Sequence, residues 1–369
     1  MNDNLFYQIA LTMINGVGGI TSRQLLNIYG DAESIFKEKR QNLERIPGIG
    51  SILSDAIKNP EVLLKAEREI QFIEDAHIQV LLFDDPEYPS RLKECPDAPL
   101  VLYYKGNTNL NAEHIISIVG TRHATNYGQE ATARLIEGIS DQYPDTLIIS
   151  GLAYGIDVCA HRNALANNLN TVGVLAHGLD RIYPAVHRQY AVEMINHGGL
   201  VTDFPSLTDP DKPNFLKRNR IIAGLSEATI VMESAEKGGS LVTADLAFSY
   251  SREVYAFPGR VGDVYSVGCN NLIRQNKAGL ITSANDLIDA LGWQKAKKPT
   301  FKQTEIFFSD SPETQQVLNL LETNEELNIN QIAKQSGLSI QELTSILFDL
   351  EMDGRIQIIP GNMYKLSLV

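Results

Sequence analysis

Within Phe215-Leu216-Lys217-Arg218-Asn219-Arg220 the chain sets three cations, an amide and an aromatic ring in six residues, then turns apolar through Ile221-Ile222-Ala223-Gly224-Leu225. This pattern predicts a helix over Phe215–Ser226 that starts charged and finishes buried. Cations at a helix N-terminus oppose the macrodipole, but an anion held by those side chains and the free N–H groups would reverse the sign. The stretch is therefore either a phosphate-facing segment or the solvated basic face of an amphipathic helix. Lys212 stands just upstream. Two other groups suit the same anion: Gly120-Thr121-Arg122 after an apolar run, and Glu236-Lys237-Gly238-Gly239-Ser240, a glycine pair opening a helix with Ser240 as N-cap. The latter reads as an anion nest or as a plain cap.

These groups need a scaffold, and the chain from Ile115 to about Leu291 supplies one by alternating buried-strand runs with helical patterns. Strands are predicted at Ile115–Val119, Leu147–Ile149, Val172–Leu175, Leu200–Thr202, Thr229–Met232 and Val254–Phe257. Most run into small or turn residues, among them Ser150-Gly151-Leu152 and Pro258-Gly259. In open α/β sheets, ligands sit in the crevice at the carboxyl ends of strands. The glycine spacing matches neither the dinucleotide fingerprint nor the Walker loop. An extended Rossmann-like parallel sheet is expected, without cofactor.

Ahead of the sheet, Ile78–Leu82 and Leu100–Tyr104 flank a proline-rich connection, which predicts extended structure. The first segment is helical in pattern and carries two copies of apolar-x-Gly-x-Gly, at Ile14-Asn15-Gly16-Val17-Gly18 and Ile46-Pro47-Gly48-Ile49-Gly50. Tandem helix-hairpin-helix units have this form, and their turns can hold phosphate without reading sequence; tight turns in a small helical domain are the alternative. Beyond Trp293 a basic, proline-marked stretch reads as a linker. Helices at Pro312–Glu322, Asn330–Gly337 and Ile340–Gly354, followed by a hairpin about Pro360-Gly361-Asn362, describe a winged helix. The expected domains are a helical helix-hairpin-helix/SAM-like domain at 1–76, the Rossmann-like domain at 77–293, a linker at 294–311 and a winged helix at 312–369.

Composition narrows the function. The net charge of −13 argues against a nucleic-acid partner overall, yet binding follows local potential rather than the sum. From Phe301 onward the chain has four Lys and Arg against ten Asp and Glu, so the winged helix suits a protein partner better than DNA. Three scattered cysteines exclude a disulfide framework and a zinc ribbon. With no signal-peptide pattern and no apolar run of ~18 residues, a cytoplasmic protein without membrane insertion is expected.

Taken together, Ser117–Arg122, Ser150–Asp157 with Ala160-His161, Gly178-Leu179-Asp180 with Tyr183-Pro184, Phe215–Ser226, Gly239-Ser240-Leu241 with Thr243-Ala244, Phe257-Pro258-Gly259 and Gly268–Ile273 resemble the DNA-processing protein A (DprA/Smf) family. The resemblance implies a non-enzymatic protein of natural transformation and recombination. It would protect incoming single-stranded DNA, load the RecA recombinase on it and dimerise through the Rossmann-like domain. Carried over by residue, it implies that Arg122 contacts a phosphate with Gly120 and Thr121 shaping its turn, that Lys212 is a basic pocket residue, and that Phe215 meets a base. Arg218, Asn219 and Arg220 line or brace the pocket. Gly151, Lys217, Lys237, Gly239 and Ser240 complete the expected DNA-binding set.

Two other readings compete. A nucleotide N-glycosidase or phosphoribohydrolase-like enzyme on the same fold would need an acid or base at a strand end, and Asp157, His161, His177 and Glu233 are available. A transcription regulator would act through the winged helix and bind duplex DNA.

Overall fold

Side chains along the central strands alternate between two apolar layers, as the two-residue period of a strand requires. Ile115 and Val119 join the core on one face and Ile116 and Ile118 the core on the other; Leu147 and Ile149 likewise oppose Ile148. Only a sheet covered on both faces buries every residue of such strands. The structure, a computed structural model, describes residues 3–293, 311–324, 326–359 and 363–366. Two compact units, Met1–Gln294 and Lys295–Val369, each carry a core of their own.

The large sheet of the first unit contains β1 (Gln79–Leu82), β2 (Val101–Gly106), β3 (Ile115–Val119), β4 (Leu147–Ser150), β5 (Thr171–Val174), β6 (Gly198–Thr202), β7 (Ala228–Val231), β8 (Glu253–Ala256) and β9 (Gly279–Leu280). Their order is β1-β2-β6-β5-β4-β3-β7-β8-β9. Strands β6 to β9 in this order pair in parallel, and β2 joins β6 antiparallel with β1 outside it. From β3 the chain steps outward to β4, β5 and β6, then returns to place β7 on the other side of β3. That reversal is the topological switch at which open α/β sheets leave a crevice. Every strand read from sequence is present within one or two residues; the two-residue β9 is too short to leave a pattern.

The front segment forms helices at Asp3–Thr12, Gly19–Tyr29, Ala32–Lys37, Arg40–Leu43, Ser51–Ile57 and Pro60–Asp75. Its sequence repeat is also a backbone repeat. Gly16 and Gly48 have φ of 89° and 86°, which favours glycine. Gly18 and Gly50 then cap the next helices with φ/ψ of −95°/−179° and −87°/−177°.

In the second unit, helices Pro312–Thr323, Ile329–Ser336 and Ile340–Met352 are joined by the sheet β10 (Leu327–Asn328), β12 (Met363–Leu366) and β11 (Ile356–Ile359), paired in that order. Asn328 with Gln331 and Ser339 with Glu342 form capping boxes, which fix the starts of the second and third helices. This is a winged helix. The expected linker, apart from Ser311, and the hairpin turn at Pro360-Gly361-Asn362 lie outside the described residues.

Candidate nucleic-acid interface

At the β3/β7 switch the structure holds a cavity of about 650 Å³, lined from three directions. Gly120, Thr121 and Arg122 come from the turn after β3; Lys237, Gly239 and Ser240 from the loop and helix after β7; Lys212, Phe215, Arg218 and Asn219 from the helix Lys212–Leu225 between them. The β3 turn is fixed by backbone bonds and by the Thr121 hydroxyl, which accepts from His123 N–H at 3.1 Å. Thr121 N–H donates to the Glu233 carbonyl at 2.8 Å, and its own carbonyl accepts from Ile156 N–H at 3.1 Å.

The helix starts at Lys212, three residues before the expected Phe215, with Pro213 in its first turn. Proline suits that position because its missing N–H would be unpaired there anyway. Residues three and four apart share a helix face, so Phe215, Arg218, Asn219 and Ile222 reach the cavity together. Lys217 and Arg220 do not line it. Lys217 is exposed, whereas Arg220 bonds the Asp97 carbonyl and pairs with the Asp203 carboxylate, tying the helix to two loops.

Arg218 is the floor of the cavity. Only 3% exposed, it donates from Nη1 to the Val174 carbonyl at the end of β5 at 2.5 Å. Gly151, just past β4, does not line the cavity; it makes room for this guanidinium, because a Cβ there would overlap it. Burial lowers the Arg218 pKa to about 10, with Asp157 acting to raise it. Asp157, 7% exposed on the same floor, has its pKa raised by burial against the pull of Arg218. Arg218 remains charged at neutral pH but is spent on this carbonyl and on the buried carboxylate's field.

The cations available to a ligand are others. Among the described residues Arg122, Lys212 and Lys237 are exposed and take part in no hydrogen bond or ion pair. Arg122 instead lies over the Phe215 ring, its Cζ 5.1 Å from the centroid, within cation–π range. Phe215 also has Tyr183 at 5.9 Å between centroids, and Tyr183 is 45% exposed on the cavity rim. Sequence reasoning did not place Tyr183, His123 or Tyr265 in the site, although all three line it. Tyr183-Pro184 stood among the motifs, but no spacing rule ties residues from such distant loops to Phe215.

Ser240 is not the N-cap of its helix. Gly238 holds that position, and the Ser240 hydroxyl donates to Ser234 Oγ at 3.0 Å. Asn219 Nδ2 donates to the Gly239 carbonyl at 3.3 Å, clasping this helix start to the helix Lys212–Leu225. With Lys237 beside its first turn, the helix start retains the sign an anion needs.

The acid/base groups of the enzyme reading are otherwise occupied. Glu233 accepts from Thr125 N–H at 2.9 Å and Thr125 Oγ1 at 2.5 Å, bracing the start of the helix Asn126–Ser140. His161 and His177 are buried away from the cavity, and burial lowers both pKa values, that of His161 to about 3. Of the four groups only Asp157 lines the cavity. The arrangement is suited to binding an anionic strand with an exposed base.

Residues 79–292 match the family model of DNA recombination-mediator protein A, and residues 306–362 match the DprA winged helix domain. DNA processing protein DprA of Bacillus subtilis (strain 168) is 39% identical over 243 residues, 65% of this chain and 81% of that protein. The X-ray structure of DNA processing protein A from Streptococcus pneumoniae superposes with a TM-score of 0.63 at 30% identity, covering 77% of this chain and 97% of that one. DNA processing protein A from Helicobacter pylori, whose structure is described as giving insights into a unique single-stranded DNA binding mode, superposes with a TM-score of 0.52 at 29% identity, covering 58% and 95%.

Proposed function

The chain belongs to the DNA recombination-mediator protein A (DprA/Smf) family of DNA-processing proteins, and on that premise we propose that the cavity at the β3/β7 switch binds single-stranded DNA. The observation that carries this is three exposed, unpaired cations, Arg122, Lys212 and Lys237, arranged with the Phe215 ring in one cavity. Sequence-tolerant strand binding needs cations along a backbone and an aromatic face for a base. Gly120, Thr121, Gly239 and Ser240 shape the walls, Arg218, Gly151 and Asn219 the floor and clasp, and Arg220 holds the helix in place. A duplex buries its base faces in the stack and offers Phe215 nothing.

The protein acts by binding rather than turnover, in the cytoplasm, and delivers the protected strand to the RecA recombinase as a recombination mediator. Residues 1–76 form the helical domain, 77–293 the Rossmann-like domain, 294–311 the linker and 312–369 the winged helix. A homodimer through the Rossmann-like domain accords with Val242 and Phe248, 38% and 57% exposed on the helix Gly239–Ser249. The acidic winged helix fits a protein partner.

The test is equilibrium binding of the full chain to labelled single-stranded and duplex oligonucleotides of equal length and matched salt. Preference for the single strand is expected; equal or stronger duplex binding would contradict the reading. RecA loading is read separately, as faster filament assembly on strands carrying the protein.

A further inference from the structure

A second cavity, of about 880 Å³, lies beside the first, and Tyr265 lines both. Its walls come from Tyr127, at the start of the helix Asn126–Ser140, and from the segment Pro258–Ser266 after β8. That segment is pinned at its base. Gly259 exchanges two hydrogen bonds with the Asn270 side chain, at 3.2 and 3.0 Å; Tyr127 Oη donates to the Pro258 carbonyl at 2.7 Å; and the Tyr265 carbonyl accepts from Ser234 N–H at 2.7 Å. Between these anchors the chain exposes Arg260; its carbonyl accepts from Asp263 N–H at 3.2 Å, but among the described residues its guanidinium takes part in no hydrogen bond or ion pair. The Asp263 carboxylate lines the same groove without pairing with that guanidinium, and Glu233 on the inner wall accepts from Thr125.

We propose that this groove is a second nucleotide subsite, occupied by a residue further along the strand than those held in the first cavity; the inference rests on the single-strand reading above. Continuity singles out this occupant. His123 lines the first cavity and its ring stacks with that of Tyr265, centroids 6.2 Å apart and planes 29° from parallel. A strand leaving Phe215 and Arg122 therefore passes along an aromatic edge into a groove with another exposed tyrosine, Tyr127 at 44%, and another free cation. Aromatic face plus unpaired cation is the combination that a further base and phosphate require.

The test is a length series of oligothymidylates, starting from the dinucleotide, against the wild type, Arg260→Ala and Arg260→Lys. The Arg260 side chain is exposed and unbonded, so neither change threatens folding. Wild-type affinity should rise by at least about fivefold as the strand grows long enough to enter the groove. Arg260→Ala should leave the dinucleotide unchanged, weaken longer strands several-fold and make their salt slope shallower by ~0.7, the share of one phosphate; Arg260→Lys should restore the slope. Wild-type affinity that is flat with length, or an Arg260→Ala effect equal at all lengths or absent, overturns the second subsite and leaves the first intact. Failure of the wild type to bind any strand would overturn the single-strand reading and this inference with it.

Discussion

Gly151 and Arg218 occupy each other's space: a Cβ on Gly151 would stand 2.5 Å from both Cζ and Nη2 of Arg218 and would overlap Nη1. The guanidinium is buried and bonded to the Val174 carbonyl, so it cannot simply swing clear. Gly151→Ala is expected to detach Arg218 from that carbonyl, destabilise the fold by about 1–3 kcal/mol and weaken strand binding through the floor of the cavity. Denaturant unfolding alongside binding checks this; a variant as stable as the wild type would mean that the floor adapts.

Phe215 meets a ligand without holding the fold together. It is only partly buried, and its ring meets the Arg122 and Arg218 guanidinium groups, 5.1 and 5.9 Å from its centroid, and the Tyr183 ring. Phe215→Ala should cost about 1–3 kcal/mol of single-strand binding with little change in the unfolding midpoint. Unchanged affinity would sink the stacking role, and binding titrations beside thermal melts separate the two effects.

Acid should weaken the fold through His161. Its Nδ1 faces Thr171 Oγ1 at 2.7 Å, and that hydroxyl donates to the Ile148 carbonyl, which makes Nδ1 the donor and leaves Nε2 buried without a partner. A proton on Nε2 would find no acceptor. The unfolded histidine protonates near 6.5, the folded one not until about 3. As pH falls through that window the unfolded chain binds a proton that the native chain refuses, and stability declines by up to about 1.4 kcal/mol per unit. Burial lowers the His177 pKa, in the same sense, while burial raises those of Glu69 and Asp157, in the opposite one. The diagnostic is thus the difference between wild type and His161→Gln in stability measured from pH 7 to 5. A smaller loss in the variant is expected, and parallel curves would refute the assignment.

The first front hairpin rests on residues 97–98 through Gly19. A Cβ on Gly19 would overlap the Ala98 carbonyl oxygen and lie 3.2 Å from its carbon, whereas one on Gly18 or Gly50 would meet nothing within 4 Å. Gly19→Ala should therefore destabilise by about 1–3 kcal/mol and Gly18→Ala by much less, which urea unfolding would resolve. Equal effects would mean that the hairpin does not rest on residues 97–98.

The sheet was legible because its strands are continuous apolar runs ending in turn residues, and the crevice follows from strand order. The cation cluster was legible as a sequence, but its division of labour was not. Read as a line, Lys217, Arg218 and Arg220 look equivalent; wound at 3.6 residues per turn, they part, leaving one exposed, one in the floor and one tied to Asp203. Gly151 could not be assigned its part because its role exists only where β4 passes the helix Lys212–Leu225. The aromatic rim of Tyr183, His123 and Tyr265 comes from three loops with no shared spacing.

Strand binding at the β3/β7 switch depends most directly on Arg122, whose guanidinium faces the cavity over the Phe215 ring, in the field of the buried Asp157 carboxylate but with no hydrogen bond or ion pair among the described residues. The decisive measurement is the salt dependence of single-strand binding by wild type and Arg122→Ala, on an oligonucleotide short enough to fill the first cavity alone. Three available cations at ~0.7 each predict a log–log slope near −2 for the wild type, and the variant should bind more weakly with a slope nearer −1.4. A flat wild-type response, or an Arg122→Ala protein that is folded and binds with unchanged affinity and slope, would contradict a phosphate site at the β3/β7 switch.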